Sequence, residues 1–261
     1  MPAAPAPPVS VAFDQSQTRA AFRLFHPKGN SLTVEMIGVL SAALESVGDY
    51  PRLKLVTIEG AGSDFSFGAN IPEHAPEQIG RALPVLHRLI EELLVLPVPT
   101  AAIVRGRCLG GGFELALACD FIFASEDASF GLPEIRLGVF PPAASVLLPW
   151  RCGGARATRA ILTGEPRGAR EWHADGVVTL VAAAGELDSA VNAWFVEHLA
   201  GRSAAALRHA AAAARSGLVA QVSGQLPALE RMYLDELMQT ADAVEGLAAF
   251  LEKRSPRWLD R

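Results

Sequence analysis

Apolar residues recur along the chain with two periods, and the alternation between them predicts the fold class. Residues 9–13 and 20–25 are short apolar runs suited to a β-hairpin. Over residues 33–47, Val34, Ile37, Leu40, Leu44 and Val47 fall at spacings of three and four. That predicts an amphipathic helix with Thr33 as its N-cap. Residues 53–58 are apolar on both faces apart from Lys54 and Thr57, as a buried parallel strand requires. Residues 60–68 read as a loop. Residues 76–96 read as a helix with Leu83, Leu86, Leu89, Ile90 and Leu93 on one side, and 100–104 as a second buried strand. A glycine loop over 106–112, a helix over 113–119 and a strand over 121–124 follow. Strand, crossover helix and strand in repetition is the βαβ pattern of an α/β core.

The later chain changes character. After Leu180 the pattern predicts almost only helix, over residues 186–199, 204–215, 221–239 and 241–253. There is no internal repeat of fixed period and no Pro/Gly-rich linker near residue 200. Residues 1–8 read as a polyproline-like or disordered tail, 9–200 as the core, and 201–261 as a helical C-terminal region. That region reads as an appendage of the core, not as an independent domain.

Composition narrows the picture. The 261 residues, half of them apolar, suffice for one large domain or two small ones at roughly 150 residues per domain. Lys and Arg number 23 against 28 acidic residues, a net charge of −5, which argues against a nucleic-acid partner. The most apolar stretch, residues 89–104, is interrupted by Glu91, Glu92, Pro97 and Pro99. A spanning helix needs about 20 nearly uncharged apolar residues, so no membrane association is expected. The first residues show neither a basic segment nor an apolar one, so they do not read as a signal peptide. Cys108, Cys119 and Cys152 are odd in number and lack metal spacing, which suits reduced thiols in the cytoplasm.

Several motif searches fail. Gly60 and Gly62 open like a dinucleotide fingerprint, but Phe65 stands where the third glycine belongs. There is no P-loop and no Gly-x-Ser-x-Gly elbow. The six histidines, His26, His74, His87, His173, His198 and His209, give no zinc-site spacing, so they read as core or surface residues and no metal is expected. Two glycine-centred loops stand out: residues 65–70, and 110–114, where Gly110, Gly111 and Gly112 precede Phe113 and Glu114. Glycines at a helix start let free N–H groups approach a negative oxygen, such as that of an enolate. The plainer reading is that Gly111 serves a tight turn and Glu114 favours the helix N-terminus. Glu134 changes the balance. It lies 20 residues after Glu114. Pro133 blocks a helix there, and Phe130 and Leu132 anchor the loop. A helix, a strand and a return to the same sheet end fit between the two acids. Two carboxylates facing one site form a general acid–base arrangement whose pKa values are driven apart.

With these residues in view, the chain resembles the crotonase (enoyl-CoA hydratase/isomerase) superfamily over nearly its whole length. The resemblance rests on residues 24–28, 65–71, 106–114, 130–135 and 245–254, in the family order. It implies a right-handed ββα spiral core with a C-terminal helical trimerisation region, a homotrimer or dimer of trimers. It implies an oxyanion hole from the N–H groups of Ala69 and Gly111, and catalysis by Glu114 and Glu134. Lys28, Gly29, Gly68, Ala69, Asn70, Ile71, Gly111, Phe140, Phe250 and Lys253 are implied to hold CoA or its acyl group. Phe250 and Lys253 belong to a helix that in the family closes over CoA, often from a neighbouring subunit. The partner is an acyl-CoA substrate, with no separate cofactor.

The chain departs from the family in two places. Asn70 replaces a common Asp, which puts a loop hydrogen bond in doubt. Residues 140–145, with Phe140, Pro141 and Pro142, replace a glycine-rich stretch and predict a stiffer, bulkier wall beside the second carboxylate. With residues 55–62, 133–140 and 250–255, that wall narrows the resemblance to hydratases of a cyclic conjugated dienoyl-CoA, of the kind used in anaerobic benzoyl-CoA degradation. The alternatives are a straight-chain or branched enoyl-CoA hydratase and a non-catalytic acyl-CoA-binding member. An RNA-binding role is disfavoured by the net charge of −5.

Overall fold

The expected hairpin forms first. In the computed structural model, which describes residues 7–261 apart from the side chains of residues 76 and 77, β1 (Val9–Phe13) pairs antiparallel with β2 (Arg19–Leu24). Of the tail expected over residues 1–8, residues 1–6 lie outside the described residues. The α1 helix (Val34–Glu45) begins as its sequence predicts, with Thr33 Oγ1 accepting from the Met36 N–H at 3.1 Å. Its Met36, Ile37, Leu40 and Leu44 are buried.

The rest of the core alternates between two sheets. The first has the order β1-β2-β3-β4-β6-β9, with β3 (Leu55–Gly60), β4 (Thr100–Val104), β6 (Phe121–Ser125) and β9 (Leu180–Ala182). All its pairings after the hairpin are parallel. The second has the order β5-β7-β8, with β5 (Arg107–Leu109), β7 (Ser129–Gly131) and β8 (Arg167–Gly168), and Ser66 bridges in parallel to Cys108. Each turn therefore gives one segment to each sheet and then a helix. β3 and the Ser66 bridge precede α2 (Pro76–Val95), β4 and β5 precede α3 (Gly111–Ala118), and β6 and β7 precede α4 (Pro142–Cys152). This is the crotonase-like ββα spiral. Phe22, Phe65, Phe113, Phe130 and Trp172 are buried within it.

Beyond α4 run α5 (Gly154–Thr163), α6 (Ala169–Ala174), α7 (Leu187–Phe195), α8 (Ala204–Arg231) and α9 (Ala241–Leu251). α8 packs on α2 and α4, and its Leu218, Val222 and Leu226 join the main core. Arg215 fixes it there. This buried side chain pairs with Asp120 and donates to the carbonyls of Leu96 at 2.5 Å and Val98 at 2.9 Å.

Three local expectations are corrected. The glycine loop over 106–112 contains β5 and the first residues of α3, because Arg107–Leu109 pairs in register with Ser129–Gly131. The separate helices over 204–215 and 221–239 are one continuous helix, which runs on through a π-turn, Met232–Glu236. Gly217 does not break it, because the Trp150 ring packs where its side chain would be: a Cβ there would lie 2.8 Å from Trp150 Cη2. Pro133 does not exclude helix either. It opens the 3₁₀ turn Pro133–Leu137, where its missing N–H costs nothing.

Candidate active site

Two backbone loops meet at the centre of the molecule. Leu32 donates to the Gly68 carbonyl at 2.8 Å and accepts from the Asn70 N–H at 3.0 Å. Ala69, between them, has no acceptor for its own N–H among the described residues. The second loop ends at Gly110, whose φ of 51° suits glycine. The chain then enters α3, and Gly111 at its first position likewise has no acceptor for its N–H among the described residues. The loops touch: a Cβ on Gly111 would lie 3.2 Å from Ala69 N, and one on Gly68 would lie 3.0 Å from Gly111 N. Two unpaired N–H groups on adjacent loops can serve a single oxygen.

Glu114 stands in the first turn of α3, all of whose residues are buried. Its Oε1 accepts from the Ala144 N–H at the start of α4, at 2.8 Å. Burial pushes this carboxyl above its ordinary range, while the N–H of Ala144, the His87 ring and the N–H of Ala143 pull it back. The 3₁₀ turn Pro133–Leu137 presents Glu134, whose carboxyl is buried with Oε2 lacking any partner among the described residues. Burial, and then repulsion from Glu114, push it up to about 8. The N–H of Ala144 favours the ionised form of Glu114, whereas Glu134 Oε2 has no such donor among the described residues and its carboxyl holds its proton at neutral pH.

Both acids border a cavity of ≈ 70 Å³ with Ala69 and Gly111. Phe140, Pro141 and Pro142 form part of its wall, together with Tyr233 and His74. The wall from residue 140 was expected beside the second carboxylate. It reaches both, because the helix that begins at Pro142 also bonds Glu114. Phe140 packs edge-on against Tyr233 at 5.6 Å between ring centroids. A second cavity of ≈ 560 Å³ adjoins the first at Phe67, Ala69 and Ile71 and opens between Lys28, Asn70, Phe250 and Lys253.

The fold thus brings Glu114, Glu134, Ala69, Gly111 and Phe140 to one cavity, and Lys28, Asn70, Ile71, Phe250 and Lys253 to the groove beside it. Gly29 and Gly68 lie behind the lining. A Cβ on Gly29 would strike the Phe67 ring at 2.5 Å, and one on Gly68 would strike the Leu109 carbonyl at 2.6 Å. Both are needed for close packing under the groove. The doubt over Asn70 is answered in part: its Oδ1 is buried without a partner among the described residues, while its main chain ties the loop to Leu32 and His74. The C-terminal helix α9 packs on the 3₁₀ turn that carries Glu134: a Cβ on Gly246 would strike the Leu137 carbonyl. The sequence did not single out His74, His87 or Tyr233 as site residues. Tyr233 follows no spacing rule from Glu134, and the π-turn that places it is invisible to periodicity.

The geometry and the sequence agree with the known relatives. The family model described as enoyl-CoA hydratase/isomerase matches residues 14–261. The chain belongs to that family, and it is an enzyme of the hydro-lyase type. It is 44% identical over 254 residues to a cyclohexa-1,5-dienecarbonyl-CoA hydratase from Thauera aromatica, covering 97% of this chain and 98% of that one. It is 33% identical over 259 residues to a probable enoyl-CoA hydratase from Bacillus subtilis, covering 96% and 98%. A crystal structure of an enoyl-CoA hydratase from Mycobacterium avium subsp. paratuberculosis superposes with a TM-score of 0.86 at 32% identity, covering 98% of this chain and all of the other.

Proposed function

We propose that this enzyme hydrates cyclohexa-1,5-diene-1-carbonyl-CoA to 6-hydroxycyclohex-1-ene-1-carbonyl-CoA, a step of anaerobic benzoyl-CoA degradation. The observation that carries this reading is the pair of buried acids, Glu114 and Glu134, at a small cavity whose wall includes Phe140 and Tyr233. A 44% identical relative that carries that activity in its name supports the choice of substrate.

CoA lies in the groove between Lys28 and Lys253, and the acyl group enters past Ala69. The N–H groups of Ala69 and Gly111 donate to the thioester oxygen and hold it as negative charge develops; loss of one such donor elsewhere costs about 3–4 kcal/mol. Ionised Glu114 takes a proton from water as the oxygen bonds to the β-carbon of the ring. The electrons pass through an extended dienolate, and protonated Glu134 supplies a proton to the distal ring carbon. Water adds across the diene ends, and one ring double bond moves between them. The conjugated thioester is itself the electron sink, so the reaction requires no metal or redox cofactor.

The C-terminal residues 201–261 serve assembly into a trimer or a dimer of trimers, supported by exposed apolar side chains such as Met232, Val244 and Leu259. No helix among the described residues is long and apolar enough to cross a membrane. Three buried free cysteines support a cytoplasmic location.

Turnover in D₂O tests the addition mode. One deuteron is expected on the ring carbon opposite the new hydroxyl group. A deuteron on the carbon that carries the thioester would indicate ordinary 1,2-hydration and overturn the dienolate route.

A further inference from the structure

One polar group at the reaction cavity has no task in the addition of water. Ala69 and Gly111 hold the thioester oxygen, Glu114 takes a proton and Glu134 gives one. His74 is tied through Nδ1 to the Asn70 carbonyl at 3.2 Å. Tyr233 borders the same cavity as all of these and is left over. It is 2% exposed, and its hydroxyl makes no hydrogen bond among the described residues. A buried tyrosine ordinarily finds a partner for its O–H group. The hydroxyl oxygen is not sealed among protein atoms, and the open space that Tyr233 borders is the cavity. The partner within its reach is therefore whatever occupies the cavity during the reaction.

The fold holds this ring in place. Tyr233 stands in the π-turn Met232–Glu236 that follows α8, and π-turns recur at functional sites. One turn earlier, Glu230 of α8 is pinned to α2, its Oε2 lying 2.5 Å from His87 Nδ1. The ring lies edge-on to Phe140 and packs with Leu83 of α2, Val139, and Leu247 of α9. The hydroxyl thus needs no rearrangement to meet a ligand.

The chemistry of hydration supplies the partner. Water has two O–H groups, and Glu114 takes the proton of one. The second O–H stays with the oxygen and becomes that of the ring alcohol. Glu114 Oε1 already accepts from Ala144, and its other oxygen receives the departing proton. A neutral phenol oxygen is an acceptor for the O–H that remains. Burial, then repulsion from Glu134 and Glu114, push the phenol well above its ordinary range, so it keeps its own proton and does not compete with Glu114 as the base.

We propose that Tyr233 is a further catalytic residue, whose hydroxyl accepts the O–H that the attacking water keeps and holds the same O–H in the hydroxylated product. The inference rests on the hydratase reading above.

A binding cycle isolates the contact. Two thioesters differ only in the ring oxygen: 6-hydroxycyclohex-1-ene-1-carbonyl-CoA and cyclohex-1-ene-1-carbonyl-CoA. Their dissociation constants are measured on the full-length protein with Tyr233 and with Tyr233→Phe, both carrying Glu134→Gln to slow interconversion. With Tyr233 the hydroxylated thioester should bind about three- to tenfold tighter, the size of one hydrogen bond, and in Tyr233→Phe the ratio should fall to about one. If Tyr233→Phe does not fold, Tyr233→Leu completes the cycle. Kinetics with Glu134 in place should show a split. The diene carries no hydroxyl, so Tyr233→Phe should lower kcat about tenfold or more and leave KM within about twofold. A ring that only packs would leave both the ratio and kcat unmoved, because Phe keeps the ring. An equal preference in both proteins, no preference with Tyr233 present, or an unmoved kcat overturns the proposal. The cycle needs no turnover, so a wild-type protein inactive on the cyclic dienoyl thioester sinks the hydratase reading, while the cycle still decides whether Tyr233 holds a ring hydroxyl.

Discussion

The Glu134 carboxyl occupies the space where Gly110 lacks a side chain: a Cβ at position 110 would lie 2.6 Å from Glu134 Oε1. One glycine thus shapes both halves of the site. It turns the chain at a φ of 51° so that α3 can begin, and it leaves room for the acid from the opposite loop.

Gly110→Ala should therefore uncouple activity from folding. The methyl group meets the far end of a flexible side chain, so Glu134 swings aside. At φ 51° and ψ −128° the backbone lies in a region that residues with a Cβ rarely adopt, which adds strain of roughly 1–3 kcal/mol. A fall in kcat of about a hundredfold or more, with a small loss of thermal stability, is expected from kinetics and calorimetry on the same sample. Unchanged kcat would mean that the Glu134 carboxyl is not held where Gly110 makes room for it.

The two acids should also be visible in pH dependence. Glu134 must be protonated to act, and its carboxyl is pushed up to about 8, so kcat/KM should fall as pH rises through that value. Glu134→Gln should lower turnover by about 10²–10⁴ and remove that limb. On stability the same substitution acts with the opposite sign. Between the ordinary 4.5 and about 8, the unfolded chain has lost a proton that the folded protein keeps, so stability falls as pH rises across that window. At pH 8, Glu134→Gln should be more stable than the wild type, by on the order of a few kcal/mol. Denaturant unfolding at pH 5 and pH 8 checks it, and a variant less stable than the wild type at pH 8 would contradict the burial of a protonated acid.

Much of this was legible before the structure. α1 with its Thr33 cap, the parallel strands and α2 follow from period alone, because each buries a continuous apolar face, and the hairpin follows from its two short apolar runs. Glu114 and Glu134 were readable because each sits beside glycine or proline, which constrain the backbone without reference to distant residues. β5 was missed because three residues, Arg107–Leu109, carry no period. The continuity of α8 was missed because it depends on Trp150 covering Gly217. His87 was read as a core or surface residue without a partner of its own, because that partner, Glu230, lies 143 positions away. Contacts at that separation leave no trace in local pattern.

Arg215 offers a test of how the C-terminal region is tied to the core. Arg215→Ala removes a buried cation that serves Asp120 and the carbonyls of Leu94, Leu96 and Val98. Breaking such a pair costs about 3–5 kcal/mol, because its partners stay buried. Chemical denaturation should show a loss of that size, and a loss below 1 kcal/mol would mean that water reaches Asp120 and the freed carbonyls. Lys28 and Lys253 should behave differently. Each borders the open groove, so Lys28→Ala or Lys253→Ala should raise KM by about two- to tenfold with kcat unchanged, an effect that shrinks in high salt.

The most direct measurement compares two thioesters on the purified enzyme. The 44% identity to a hydratase named for the cyclic dienoyl thioester, with Glu114 and Glu134 both bordering the cavity, predicts a higher kcat/KM for cyclohexa-1,5-diene-1-carbonyl-CoA than for crotonyl-CoA. Faster turnover of crotonyl-CoA would contradict the assignment.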